Sequence, residues 1–375
     1  MPKKDKYVAL FFAILCVVLY FWPNKYEIRA TSQKAIRCKG EVLKVDNSDI
    51  HQKGIIKIGT QEVVLKILNG PYKGKIFKAT NQLMGYVDRD KIFQPGDLAL
   101  VVISLNHNNE IVYINPQDIY RIDLELYLFL AFALSVVLFG GWVGVKALLS
   151  FVFSALVLGK ILIPYILDGV NPILLSLGVV IILTTSIVFL VAGPTRKGLA
   201  AFLGSLLGIA TTCVLALWIT HKAKIHGAVM PFSEPLLYAG FAHLRLTEIF
   251  IGTIFLAASG AVMDIAMDIA ASMEEIFCKK PEIRYWQLAL SGLRVGRAVF
   301  GTMVTTLLLA YCGGYLTMLM FFMAQGVPVF NMLNLVYVSA EIIKTIAGSF
   351  GLVLTAPFTA LIGAWIIIKN RELAK

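Results

Sequence analysis

Residues 246–271 read LTEIFIGTIFLAASGAVMDIAMDIAA, and this stretch decides the class of the protein. No proline interrupts it, and its only charged residues are Glu248, Asp264 and Asp268. A run this long and this apolar can cross the ~30 Å hydrocarbon core of a bilayer. There the backbone must satisfy its own hydrogen bonds, so the run reads as a helix. Comparable blocks surround it near 124–145, 147–167, 172–192, 198–220, 292–323 and 333–368. The 375-residue chain is 58% hydrophobic and 15% charged, with a mean hydropathy of +0.77. The expected fold is a polytopic α-helical membrane protein of about eight transmembrane helices.

Working outward, the N-terminus reads MPKKDK and then YVALFFAILCVVLYFW. Cations followed by an apolar run suit a signal peptide or an anchor, and the run ends in Phe21-Trp22-Pro23-Asn24 with no small-residue cleavage site. Residues 1–23 are therefore expected to be an uncleaved signal-anchor, with Lys3, Lys4 and Lys6 inside and Trp22 at the outer interface. Residues 24–122 change character. Short alternating runs (Lys39–Val45, Gly54–Ile58, Glu62–Leu68, Lys75–Ala79, Leu98–Ser104, Glu110–Ile114) are separated by turn signals at Asn69-Gly70-Pro71, Gln94-Pro95-Gly96-Asp97 and Asn106-His107-Asn108-Asn109. That pattern predicts a small extracytoplasmic β-barrel of OB or SH3-like type. Residues 123–375 form the remaining transmembrane bundle.

Loop charges orient the bundle. Gly193-Pro194-Thr195-Arg196-Lys197 is short and basic, residues 272–291 carry Lys279, Lys280 and Arg284, and the tail carries Lys369, Arg371 and Lys375. All three are expected in the cytoplasm of a plasma-membrane protein with both termini inside. Asp168-Gly169-Val170-Asn171-Pro172 has no cation and fits the outside, whereas Lys222 and Lys224 mildly oppose the scheme. The last two runs are long for one crossing, so Gln325–Leu333, or the glycines at 348 and 351, are candidate sites for a re-entrant or broken helix.

The formal charge is +11, but no basic helix or stacking-aromatic module accompanies it, so nucleic acid is not an expected partner. The lipid bilayer is. Between positions 25 and 92 the Lys and Arg residues outnumber the acids, a surface suited to anionic headgroups or acidic wall polymers, or simply a solvated basic face. Homo- or hetero-oligomers are open. Cys16, Cys38, Cys213, Cys278 and Cys312 form no CxxC pair and no disulfide framework. There is no GxxxxGK[ST], HExxH or GxSxG, and the two membrane aspartates share one helix, so neither an enzyme nor a metal or cofactor is expected.

The candidate chemistry is ionic. Asp264 and Asp268 are four residues apart, hence on one face of an apolar helix. Carboxylates in hydrocarbon are costly and usually serve a cavity or a partner, as in a proton or cation relay. The competing reading is a wet helix end at the cytoplasmic mouth, beside Glu274 and Glu275. Glu341 and Lys344 are three apart and can pair, as a functional ion pair or as a neutralised packing feature. Arg245 and Glu248 read as interfacial, and Arg294 and Arg297 as topology anchors within reach of the carboxylates. Pro357 inside a spanning run, with Gly348 and Gly351 before it, makes a candidate hinge.

SGAVMDIAMDIAASMEEI (259–276) and AGSFGLVLTAPFTALIGAW (347–365) resemble hallmark stretches of the YibE/F-like family of bacterial membrane proteins. LNGPYKGKIF (68–77) and QPGDLALVVI (94–103) are similar to that family's extracytoplasmic region. The resemblance implies a bacterial multi-pass protein and carries no activity with it. A fainter likeness links Gly260-x-x-x-Asp264, Glu274-Glu275, Gly301-Thr302 and Thr305-Thr306, with the Gly/Ser-rich final helix, to the membrane half of SecD/SecF-type proton-driven permeases. It implies that Asp264 is the proton-coupling position, although this chain has more spans and a much smaller external domain. The expectation is a permease or export accessory with a carboxylate site in the sixth span. The alternative is a non-transporting scaffold or sensor whose external domain binds envelope material or a partner.

Overall fold

The computed structural model describes residues 3–26, 35–106 and 108–372. His107 of the expected turn, Glu27, Arg29 and Lys34 of the basic stretch and Lys375 of the tail lie outside the described residues, as do the side chains of Lys3, Lys4 and Arg371. Contacts divide the chain into two units. One runs from Pro23 to Leu138, and the other joins the residues before Pro23 to those from Phe139 on.

The first unit holds an antiparallel barrel of five strands: β1 (Ala35–Lys53), β2 (Ile56–Ile67), β3 (Ile76–Met84), β4 (Leu98–Leu105) and β5 (Ile111–Ile119). Their order is β3-β2-β1-β4-β5. β1 serves two partners, with Ala35–Glu41 pairing β4 and Gly40–Lys53 pairing β2. Tyr113 Oη on β5 donates to Thr80 O on β3 at 3.4 Å, which brings the two edges together and leaves the barrel nearly closed. Alternate residues point inward, so Val63, Leu65 and Ile67 meet Ala99, Val101 and Ile103 in the core.

The strands are longer than the alternation predicted. Gly54–Ile58 and Glu62–Leu68 are not separate strands, because β2 runs through both. Gly59 takes φ 123° where the chain closes on Asp49 O, opposite the register shift between Asp46 and Asp49, and such bulges break the period-2 pattern. One polar pair interrupts the apolar interior. Gln61, fully buried, accepts from Phe93 N–H (3.0 Å) and Asn81 Nδ2 (3.1 Å) and donates to Phe93 O and Asn47 Oδ1. A satisfied network of this kind ties the Lys91–Phe93 segment to the sheet.

Six helices are long and apolar enough to cross a membrane: Ile122–Leu167, Pro172–Ala192, Arg196–Lys222, Leu246–Lys279, Tyr285–Ala324 and Val336–Lys369. A shorter apolar helix, Lys6–Phe21, lies within α1 (Lys3–Phe21). α2 (Ile122–Val157) continues through a π-turn, Leu158–Leu162, and one more α-turn to Leu167. The expected boundary near residue 146 is absent. The backbone departs from helix at Gly141 (φ 51°, ψ −127°) instead, a conformation that favours glycine. Lys146 is buried, its ammonium 3.4 Å from Val191 O. That carbonyl lies at the end of α3 (Pro172–Ala192), where the last carbonyls lack intrahelical partners.

Side chains of the two short loops start the helices that follow them. Asn171 Oδ1 accepts from Ile173 N–H and Leu174 N–H to start α3, and Thr195 Oγ1 accepts from Gly198 N–H to start α4 (Arg196–Lys222). α5 (Leu246–Lys279), α6 (Tyr285–Ala324) and α7 (Val336–Glu372) complete the bundle. α4 and α7 run antiparallel, and a small-residue seam joins them. A Cβ at Gly204, Gly208 or Gly351 would overlap the hydroxyl of Thr359, Thr355 or Thr212 respectively. Only glycine allows this approach. Lys197 pairs with Glu274 at 3.2 Å, so the two basic loops share one end of the bundle. His243 Nε2 lies 3.0 Å from Leu167 O, which brings the loop before α5 to the Asp168 loop at the other end.

Candidate functional site

Glu341 and Lys344 sit in the first turns of α7 and pair as their spacing predicted, with Oε2 and Nζ 3.7 Å apart. Each side chain is about a quarter exposed. The Lys344 ammonium also lies over the Tyr311 ring of α6, 5.2 Å from its centroid. The Tyr311 hydroxyl is buried and has no hydrogen-bond partner among the described residues. Lys344 therefore has two holders, a carboxylate and an aromatic face, and neither contact is close.

Glu341 opens onto a cleft of about 430 Å³. One wall is the connection before α5 (Ala228–Pro235), and the others come from α6 (Gly314–Met318) and the start of α7 (Tyr337, Glu341). Two backbone irregularities lie on this cleft. Phe232 is left-handed (φ 59°, ψ 8°), a rare conformation for a bulky residue. It is held there by Ser233, whose hydroxyl donates to Ala228 O and Met230 O. Tyr315 departs from helix (φ −123°, ψ 16°) inside α6, and its hydroxyl meets Cys312 Sγ at 3.1 Å. The left-handed backbone of Phe232 costs free energy, and such positions concentrate at functional sites.

Asp264 and Asp268 do share a face, but it is the outward face of α5, together with Ala257, Gly260 and Ala271. No hydrogen bond or ion pair reaches either carboxylate among the described residues, and neither lines the Glu341 cleft. Along the helix Asp264 lies about 24 Å from Glu248 and about 15 Å from Glu274, at ~1.5 Å per residue. It is therefore well inside α5, and Asp268 is one turn nearer the Glu274 end. Arg294 and Arg297 are exposed on α6 and form no ion pair with either aspartate. Arg245 pairs with Glu248 at 3.1 Å, while Glu248 Oε2 is buried without a partner.

The helical backbone of α7 continues through Gly348, Gly351 and Pro357. Gly351 is a contact point of the seam with Thr212, and a Cβ at Gly348 would press on Ala258 of α5 (3.2 Å). The breaks fall at Gly141 and Tyr315 instead, and Val329–Asn334 coils into a short helix within the region expected to be re-entrant. Residues unsuspected from the sequence are Glu234, Tyr311, Tyr315 and Lys146. Lys146 carried a signal, a lone cation in an apolar run. The other three acquire meaning only from a connection without periodicity folding over two helix ends. Among the described residues no group of three or more His, Cys, Asp or Glu side chains could hold a metal.

No functionally curated protein and no solved structure matches this chain. Two family models do. The YibE/F family N-terminal domain matches residues 37–118, which holds most of the barrel, and the YibE/F-like protein model matches residues 128–369, which holds the helical region from within α2 almost to the end of α7. On the extent of those matches, the chain belongs to the YibE/F-like family.

Proposed function

We propose that this protein is an ion- or proton-coupled permease or export accessory of the plasma membrane. On this reading α1 counts as a crossing and α2 divides at Gly141, making eight, and the loop charges put the barrel outside and both termini in the cytoplasm. The observation that carries the reading is the loosely held Glu341–Lys344 pair at the edge of a cleft flanked by two distorted segments. A charge pair that can exchange partners at the mouth of a bundle suits coupling better than packing, since a pair serving stability would be shorter and better satisfied.

Asp264 is the second coupling group. Its place well inside α5 supports a relay, and its outward, small-residue face suits a further helix of another copy or a partner. The likeness to SecD/SecF-type permeases would give it the same role. The test is pH-gradient-driven flux in proteoliposomes for wild type, Asp264→Asn and Glu341→Gln. Flux that is unchanged in both variants, or absent across a broad substrate panel, sinks the proposal.

One observation favours the scaffold or sensor reading. Ile55, Ile56, Tyr86 and Val87 are exposed together at one end of the barrel, beside Lys57. An apolar tip bordered by Lys57 and Asp90 suits headgroups, wall polymers or a partner. If Val87→Asp abolishes the cellular phenotype while both carboxylate variants keep it, the barrel and not the bundle carries the function.

A further inference from the structure

We infer that the cleft between the Ala228–Pro235 connection, α6 and α7 binds a small organic cation. The inference rests on the permease reading for its purpose, but binding itself can be measured without it. The lining combines two carboxylates, Glu234 and Glu341, with three aromatic rings, Phe232, Tyr315 and Tyr337, and the thioether of Met318. Among the described residues no Lys, Arg or His lines it. A volume of about 430 Å³ falls in the range of small-molecule sites.

The lining chemistry separates ligand classes. An anion meets two carboxylates and no donor cation in the lining. A neutral apolar ligand desolvates Glu341 and Glu234 and offers nothing in return, which is costly. An ammonium or quaternary ammonium group satisfies both halves of the wall. Its charge faces the carboxylates, and its alkyl shell faces the rings, whose π-faces attract cations.

Lys344 makes the site exchangeable. Its ammonium stands 3.7 Å from Glu341 and also over the Tyr311 ring. An arriving cation takes over the Glu341 carboxylate while Lys344 keeps its aromatic seat, so no charge is left without a partner. The internal lysine is then a competitor of the ligand. Removing the carboxylate and removing the lysine must shift affinity in opposite directions.

The experiment is calorimetric titration of choline into the full chain in lipid-free maltoside micelles. The matched control is 3,3-dimethylbutan-1-ol, choline's uncharged carbon analogue. Choline is expected to bind saturably and the alcohol not at all. Glu341→Gln should weaken choline by about tenfold, equivalent to ~1.4 kcal/mol, and Lys344→Met should strengthen it several-fold. Glu234→Gln, on an exposed connection where folding is not at stake, should weaken it a few-fold. Dihexanoylphosphatidylethanolamine titrated against dihexanoylphosphatidylglycerol separates the two sources of such a group. Competition by the first only assigns the cation to a lipid headgroup, and competition by neither assigns it to a soluble molecule. Choline and the alcohol binding alike, no saturable choline binding, or unchanged affinity in both glutamate variants would overturn the inference. Because no gradient is applied, failure here leaves the flux experiment standing, and absent flux leaves this titration standing.

Discussion

Gly208 on α4 is one of the points where the bundle has no room to spare, and alanine there tests the seam directly. The added methyl meets three atoms of α7, Thr355 Oγ1 inside contact distance and Gly351 O and Thr355 Cβ each at 3.1 Å. The carbonyl is backbone and cannot rotate away, so the helices must part. Overpacking a tight interior costs about 1–3 kcal/mol, and alanine's better helix propensity returns about 0.5–1 kcal/mol. The net loss of about 1–2 kcal/mol corresponds to a melting point lowered by several degrees, at ~2–4 °C per kcal/mol for a domain near this size. Gly260 supplies the control, because a Cβ there meets nothing within 4 Å. Gly260→Ala should melt at or above the wild-type temperature. Adding Thr355→Ala to Gly208→Ala removes the nearest of the three colliding atoms and should recover part of the loss, a positive coupling in a double-mutant cycle. The assay is thermal release of the buried Cys213 thiol to a fluorogenic maleimide, in a background where the other cysteines are serine. Equal shifts for Gly208→Ala and Gly260→Ala, or no recovery in the double variant, would show that the seam does not hold α4 to α7.

Three further outcomes follow from the same geometry. Gln61→Leu should destabilise the barrel by about 2–3 kcal/mol, read as a lower denaturant midpoint, because it strands Phe93 N–H in the core. The Ser48 N–H bonded to Asp46 holds that carboxyl below its usual range. A depressed folded pKa stabilises above the unfolded value and is lost as pH falls through the folded one, so Asp46→Asn should flatten the acid limb of barrel stability. Cys278 is exposed whereas Cys38 is buried, with its thiol pKa pushed up by burial. A membrane-impermeant maleimide should label Cys278 only in inverted vesicles and leave Cys38 unmodified in either orientation until the barrel unfolds. Labelling of Cys278 in right-side-out vesicles refutes the proposed topology.

What the sequence made legible was local. The turns at Gly70 and Gly96 and the i,i+3 pairing of Glu341 with Lys344 are contacts between near neighbours, and each is found. Periodicity also placed Asp264 and Asp268 on one face, but it says which residues share a face and not what that face meets. It turned out to point outward. The seam depends on glycines of two helices far apart in the chain, and no single helix announces its partner. The cleft was invisible because the connection over it, from Ala228 to Pro235, has no repeating pattern to read. β1 outran its expected length because bulges broke the alternation, while the ladder itself continued.

The course of α2 has a mechanical consequence. Its first turns, through Leu138, count with the barrel, and from Phe139 on the chain counts with the bundle, yet the passage is made in helix with the departure at Gly141. A flexible tether would absorb a pull on the barrel over many slack residues. Helical turns on either side are stiff, so torque reaching this junction is delivered to the φ and ψ of one residue. Gly141 is then the pivot of α2: a residue carrying a Cβ resists φ 51°, ψ −127°, so a substitution there would reset the direction in which the run continues to Leu167.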